Sequence, residues 1–290
     1  MCGGLVDATS PIAPSFRHRF LDFVDITDHQ LQGLSILAEE FRDYFKDGNY
    51  SNLLKFEEDI ASTCSVVLIF LESPGSLVEL GMFCNHPEYY KKLLIVATEE
   101  HTENGDSFIY LGPLEFIRSK DDNSVAIYPW PSEEKKEYHE THLEDLADVV
   151  TEKISDLHSE EKFDSNNHGH IAFLICEIIR VCFPIAKGEI AEALDNLGLT
   201  ETVVSRYIYL LERLQYIGVV ERSTSKFYFP KSISENKVQF GRSKNFRQIE
   251  SQILQISFRQ LIASSRGDPT SRRRANVLQE IMNHGGENES

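Results

Sequence analysis

Val66-Val67-Leu68-Ile69-Phe70-Leu71 is a continuous apolar run, the pattern of a strand buried on both faces of a parallel sheet. It stops at Glu72. Pro74 and Gly75 then impose a turn, and Ser76 is placed to cap a helix from Leu77 to about Phe83. Lys92–Ala97 repeats the buried-strand pattern, and Leu34–Leu37 and Val125–Tyr128 read as shorter strands. Between them, Ser15 to about Val24 sets Phe16, Phe20 and Phe23 at helical spacing, with Arg17 and Arg19 on a solvated face. Ser51–Thr63 is amphipathic, packing Leu53, Leu54, Phe56 and Ile60 while Glu57, Glu58 and Asp59 face outward. His101–Asp106 is a polar loop, Ser107–Ile117 is mixed, and a long acidic helix runs from Ser132 to about His158. Alternating strands and helices predict a doubly wound, Rossmann-like parallel sheet over residues 1–158.

A polar linker, residues 159–169, separates this from a second unit. Ile171–Phe183 is a helix stopped by Pro184, and Lys187–Leu197 is a helix ended by Gly198. Thr200–Tyr216 is a third, capped at Thr200, and Gly218–Phe229 reads as strand, turn, strand. Three helices and a hairpin predict a winged helix-turn-helix over residues 170–230, with Ser205, Arg206, Tyr209 and Arg213 on the third helix. The same shape also serves protein docking. Residues 231–290 form a helical tail, with helices near Phe246–Ala263 and Arg272–Met282 and a disordered end from Gly285.

Charge changes the picture in two places. The chain carries a formal net charge of −17, which opposes binding of duplex DNA by the whole surface. Residues 131–165 are locally −8, a solvated helix face, whereas residues 240–282 are locally +5, densest at Arg272-Arg273-Arg274. The five cysteines are scattered, without disulfide or metal spacing, and point to a reducing cytoplasm. Cys84, near the central turn, reads as a small core residue. No apolar run approaches the roughly 20 residues that span a bilayer, and no charged-then-apolar leader opens the chain. His139 and His142 lack a third ligand, so no metal is expected.

The strand–turn–helix at 66–83 carries the chemistry. Sites in open α/β sheets lie past the carboxyl ends of the strands, where helix N-termini offer free N–H groups. This turn adds two carboxylates, Glu72 and Glu79. Ser76-x-x-Glu79 fits a capping box, in which Glu79 bonds back to the cap amide. A carboxylate there also fits a nucleophile that attacks a sugar anomeric carbon. Spacing leaves both open.

Glu72-Ser-Pro-Gly-Ser-Leu-Val-Glu79-Leu-Gly81-Met-Phe83 resembles the signature of retron effector proteins of the nucleoside-deoxyribosyltransferase-like kind. Cys2-Gly3-Gly4 resembles the glycine turn after that family's first strand. Asn52-Leu53-Leu54-x-x-Glu57-x-x-Ile60-Ala61 resembles its second helix, and Ser107-Phe108-Ile109-x-x-Gly112-Pro113 its segment after the fourth strand. The resemblance covers about residues 1–155. It implies an N-glycosidase that cuts the base–sugar bond of NAD or another nucleotide as substrate, without a further cofactor, with Glu79 as nucleophile. Gly3 and Gly4 would admit a phosphate or ribose. Glu39 and Glu72 would bind ribose hydroxyls or supply the acid, Ser73, Gly75 and Ser76 would hold hydroxyl or phosphate, and Tyr110 would line the site. Asp59 sits at a position that is acidic in deoxyribosyltransferases.

The implied partner is a retron reverse transcriptase carrying msDNA, an RNA–DNA hybrid molecule. It would meet Arg206, Arg213, Arg222 and Lys226 of the winged helix and Arg272, Arg273 and Arg274 of the tail, and hold the toxin inactive until a phage protein disturbs the complex. Related transferases complete their sites across subunits, so a homo-oligomer stays open. So does a non-enzymatic reading, a nucleotide sensor or DNA-binding module on the same fold. One departure stands out: the family's glycine turn follows a central strand, and here only Met1 and Cys2 precede it. Either the start lies too late or the strand is a stub, with an unpaired groove beside Leu68 or a compensating segment.

Overall fold

A computed structural model of the chain describes residues 1–27, 30–41, 49–99, 108–129, 139–158, 160–222, 225–242, 248–264 and 269–285. Two compact units result: Met1–Arg42 with Leu54–Lys162, and Asp43–Leu53 with Phe163–Ser290. The loop expected at 101–106, the start of the acidic helix and the last five residues lie outside the described residues.

The first unit holds strands β1 (Val67–Phe70), β2 (Leu93–Thr98) and β3 (Val125–Tyr128), all parallel, in the order β1-β2-β3. Its helices are α1 (Phe16–Ile26), α2 (Leu53–Thr63), α3 (Pro74–Phe83), α4 (Glu115–Arg118) and α5 (Glu140–Ser155). Every residue of β1 and β2 is buried, which is why both read as unbroken apolar runs. Alternate side chains point to opposite faces. Leu68, Phe70, Leu94 and Val96 pack with Phe16 and Phe20 of α1 and with Leu143 and Leu146 of α5. Val67, Ile69, Leu93 and Ile95 pack with Ala61 of α2, Leu80 and Phe83 of α3, and Ile117 of α4. Helices therefore cover both faces of this α/β sheet.

The outer edge of β1 is paired by a stub. Cys2 forms one parallel bridge with Ile69: its N–H donates to the Leu68 carbonyl at 2.8 Å, and its carbonyl accepts from Phe70 N–H at 3.0 Å. The Met1 ammonium in turn donates to the Ile36 carbonyl at 2.8 Å. Leu34–Leu37, expected as a strand, forms none; Leu34 is 66% exposed, and a 3₁₀ turn follows at Ala38–Phe41. A stub that bridges at one residue offers no ladder on which a second strand could extend.

Two helices differ from their sequence reading. In α2 the acidic residues Glu57 and Asp59 are buried, while Leu53 and Leu54 are about half exposed. In α3 the first turn begins at Pro74, three residues earlier than expected, because Ser73 and not Ser76 is the cap. Pro at the first helical position is preorganised for that start.

The second unit contains α6 (His168–Cys182), α7 (Lys187–Leu194), α8 (Glu201–Arg213), the antiparallel hairpin β4 (Ile217–Arg222) and β5 (Ser225–Pro230), then α9 (Ser251–Ser264) and α10 (Pro269–Gly285). After α7 the chain passes through Gly198 at φ 69°, a left-handed position that glycine takes without cost. Thr200 then caps α8 by accepting from Val203 N–H. Ile185 bridges Tyr228, adding a third short pairing to the hairpin. Val277 and Ile281 of α10 pack on Phe183 and Phe227, which ties the tail to the hairpin.

Candidate active site

The turn after β1 is held by its own serines. Ser73 Oγ accepts from Ser76 N–H at 3.1 Å and donates to the Gly3 carbonyl at 3.1 Å. Ser76 Oγ accepts from Ser73 N–H at 3.1 Å and donates to the Ser73 carbonyl at 2.9 Å. The capping box is thus Ser73–Ser76. Both side chains are engaged in the turn, where the sequence suggested binding of hydroxyl or phosphate. Gly75 is exposed at the helix start.

Glu79 therefore has no part in the cap. It lies in the second turn of α3, partly buried, and its Oε2 is enclosed without a hydrogen-bond partner. Burial pushes its carboxyl up; the Cys2 thiol, Arg17 and the N-terminal ammonium work in the opposite direction. An enclosed carboxylate oxygen without a donor is costly to keep.

Glu72, the other carboxylate of the turn, does something else. Its Oε1 accepts from Arg17 N–H at 3.0 Å and Gly4 N–H at 3.4 Å, and its Oε2 from Phe16 N–H at 2.7 Å. It holds the first amides of α1, where an anion is favoured. Gly3 and Gly4 serve the same joint. A Cβ on Gly3 would meet Phe70 Cβ at 2.8 Å, and one on Gly4 would meet Ser15 Cβ at 2.6 Å. Their small size accommodates protein atoms, where the sequence suggested ligand. Arg17, expected on a solvated face, is buried and donates to the carbonyls of Gly4 and Met1. It also pairs with Glu39 at 2.7 Å, whose side chain is 41% exposed. Tyr110 begins a π-helical turn, Tyr110–Leu114, and packs partly buried against the core.

The residue that sequence reasoning missed is Glu57. One ligand atom each of Cys2, Glu57 and Glu79 lies within 4.8 Å of the other two. Glu57 is 9% exposed, and burial first, then the Glu79 charge, raise its carboxyl to about 7. The same spacing would admit a cation only with a thiolate; burial pushes the Cys2 thiol up to about 12, which leaves it a donor. Among the described residues His139 and His142 join no such group.

In the second unit a cavity of about 1180 Å³ runs between α8 and the hairpin, lined by Lys187, Ser205, Tyr209, Arg213, Lys226 and Lys231 among others. The cations named from sequence divide. Arg206 stacks on Tyr50 and Tyr207, Arg213 lies over Tyr209, Lys226 pairs with Glu221 at 2.6 Å, and Arg222 pairs with Glu280. In the tail Arg272 and Arg273 are exposed. Arg274 is not: it pairs with Glu189 at 2.5 Å, 14% exposed, over the rings of Phe227 and Phe258.

Residues 13–219 match the family described as STM3845 retron effector protein. This chain is a retron effector. Two curated relatives come from Escherichia coli. The "Retron Ec73 putative ribosyltransferase/DNA-binding protein" is 25% identical over 235 residues, 76% of this chain and 71% of the relative. Its Retron Ec86 namesake is 30% identical over 139 residues, 47% of this chain and 42% of the relative. Among the described residues of the effector, no helix is long and apolar enough to cross a membrane.

Proposed function

We propose that this retron effector is an N-glycosidase toxin that hydrolyses the base–sugar bond of NAD or another nucleotide, with Glu79 as its nucleophile. The observation that carries the reading is the Glu79 carboxylate: the cap belongs to Ser73 and Ser76, and Oε2 is enclosed and unpartnered. The carboxylate attacks C1′, the electron pair of the C1′–N bond leaves with the base, and water then releases the sugar from Glu79. The names of the two E. coli relatives include ribosyltransferase; a ribosyl group transferred to water is this hydrolysis.

The finer fold reading belongs to the same proposal. A sheet with helices on both faces, with Cys2 beside β1 and Ile36 beside Met1, supports a doubly wound, deoxyribosyltransferase-like domain whose first two strands are rudimentary. The helices α6–α8 and the hairpin support a winged helix. Family membership supports a role in cytoplasmic retron defence against phage, with the reverse transcriptase and its msDNA as the partner that restrains the toxin and a phage protein as the trigger. DNA-binding in the relatives' names fits a nucleic-acid face built on Arg213, Lys226, Arg272 and Arg273.

The test is a panel of nucleotides incubated with wild type and Glu79→Gln, with free base read by chromatography. Wild type releases base from at least one nucleotide, and the folded Gln variant releases none. A folded Glu79→Gln that still releases base leaves Glu79 without a covalent role.

A further inference from the structure

The cavity between α8 and the hairpin plays no part in the chemistry assigned to Glu79. Its volume is about 1180 Å³, ample for a small molecule, whose sites run to roughly 300–1,000 Å³. Its wall gathers positive charge on an otherwise acidic chain. Lys187, Arg213, Lys226 and Lys231 line it against one acid, Glu212, in a protein of net charge −17. Two of these cations have carboxylate neighbours: Lys187 lies 3.3 Å from Glu201, and Lys226 lies 2.6 Å from Glu221. All four of those side chains are 41% to 66% exposed, and surface pairs of that kind contribute little and yield to a better anion. Lys231 is fixed by its backbone N–H on the Tyr216 carbonyl, and its exposed ammonium has no partner among the described residues.

The rest of the wall suits the other parts of a nucleotide. Arg213 lies over the Tyr209 ring, 5.3 Å from its centroid, and Tyr209 is buried. A guanidinium held over a ring is fixed by it and offers several N–H donors to phosphate. Asn49 and Ser225 supply neutral hydrogen-bonding groups for a sugar or a base edge, and Tyr228 supplies ring surface. Shape favours a single nucleotide over a duplex. A winged helix reads duplex DNA by setting its third helix into the major groove. Here Ser205, Tyr209 and Arg213, the positions of α8 that would meet the groove, line the wall of a cavity.

We propose that this cavity binds a free nucleoside phosphate, as a second nucleotide site in a different unit from Glu79. Lys231, Lys226 and Arg213 take the phosphates, and the base lies toward Tyr209 and Tyr228. The cations also draw the anion toward the one part of the wall where the acidic chain does not repel it, so binding weakens as salt screens them. Arg213 and Lys226 belong as well to the nucleic-acid face proposed above. An occupied cavity therefore competes with that partner for two cations, a consequence that rests on that reading; the binding itself does not.

The experiment irradiates the whole chain with 8-azidoadenosine triphosphate and maps the labelled peptides by mass spectrometry, with ATP, adenosine and inorganic phosphate as competitors. Label should fall on α8 or β5, and ATP should displace it at concentrations where neither adenosine nor phosphate does. Lys231→Ala should weaken ATP by roughly 10–150-fold, the loss of one charge-assisted phosphate contact. Lys231→Ala combined with Arg213→Ala should abolish the label there. Lys231 is exposed, so its single variant keeps the fold and decides the matter if the double variant does not fold. ATP affinity of Lys231→Ala within about threefold of wild type overturns the proposal. So does label confined to other segments. A cavity that ATP leaves unlabelled and a photoreactive single-stranded oligonucleotide labels is a strand cleft, which also overturns it. Label on α8 in a protein that releases no base keeps this inference and removes the glycosidase reading, and base release without that label does the reverse.

Discussion

Glu57 should weaken the fold as pH rises through neutrality. Its carboxyl is raised from 4.5 to about 7 in the folded protein, so the native state holds that proton more tightly than the unfolded chain does. Below about 4.5 the carboxyl is protonated in both states and costs nothing. As pH rises from there through 7, the unfolded chain ionises freely while the native state resists, and stability falls. At 1.36 kcal/mol per pK unit the full loss is about 3 kcal/mol above pH 8. Glu57→Gln keeps the size and removes the charge, so it recovers that loss, less about 1–2 kcal/mol for a buried amide with few partners. The net is a stabilisation of roughly 1–2 kcal/mol, about 2–8 °C for a unit of this size. At pH 5 the recovery shrinks to about 0.8 kcal/mol and the amide cost remains, so the variant melts at or below wild type. Calorimetric melts of both proteins at pH 5 and pH 8 read this directly, because every other titrating group contributes to both. A melting difference that is the same at the two pH values would refute the electrostatic account of the cluster.

The remaining predictions concern the parts around it. Glu72→Ala strands the amides of Phe16, Arg17 and Gly4 and should cost about 2–4 kcal/mol in urea unfolding of the first unit; a cost below 0.5 kcal/mol would mean that water replaces it. Ser73→Ala removes the α3 cap and should cost about 1 kcal/mol, whereas Ser76→Ala keeps the Ser73 acceptor and costs less; an equal loss would restore Ser76 as the cap. Arg274→Glu places a like charge against Glu189 and should lower the melting point of the second unit, while Arg272→Glu with Arg273→Glu leaves it unchanged and weakens co-purification with the reverse transcriptase complex. Co-purification of that double variant at raised salt would move the docking surface elsewhere.

Much of the local structure was legible in the sequence. The run Val66–Leu71 announced β1 because both faces of that strand are buried. Gly198 and Thr200 marked the start of α8 because caps act within three residues. The early start of α3 has a local signal too: Pro74 suits the first helical position, and Ser73-Pro74 competes with Ser76 for the cap. Glu79 could be singled out, but spacing left it between cap and nucleophile until the capping bonds were seen to belong to two serines. What only the tertiary structure decided depends on surfaces that meet across long stretches of chain. Glu72 caps a helix that begins 56 residues before it, and Arg274 answers a carboxylate 85 residues away. Glu57 read as an outward charge, since helical periodicity separates apolar from polar positions but cannot distinguish a polar face toward water from one toward a cleft. A carboxylate acquires its proton affinity from burial and from the charges opposite it, and for Glu57 those are Glu79 on another helix and an ammonium at the chain's own start.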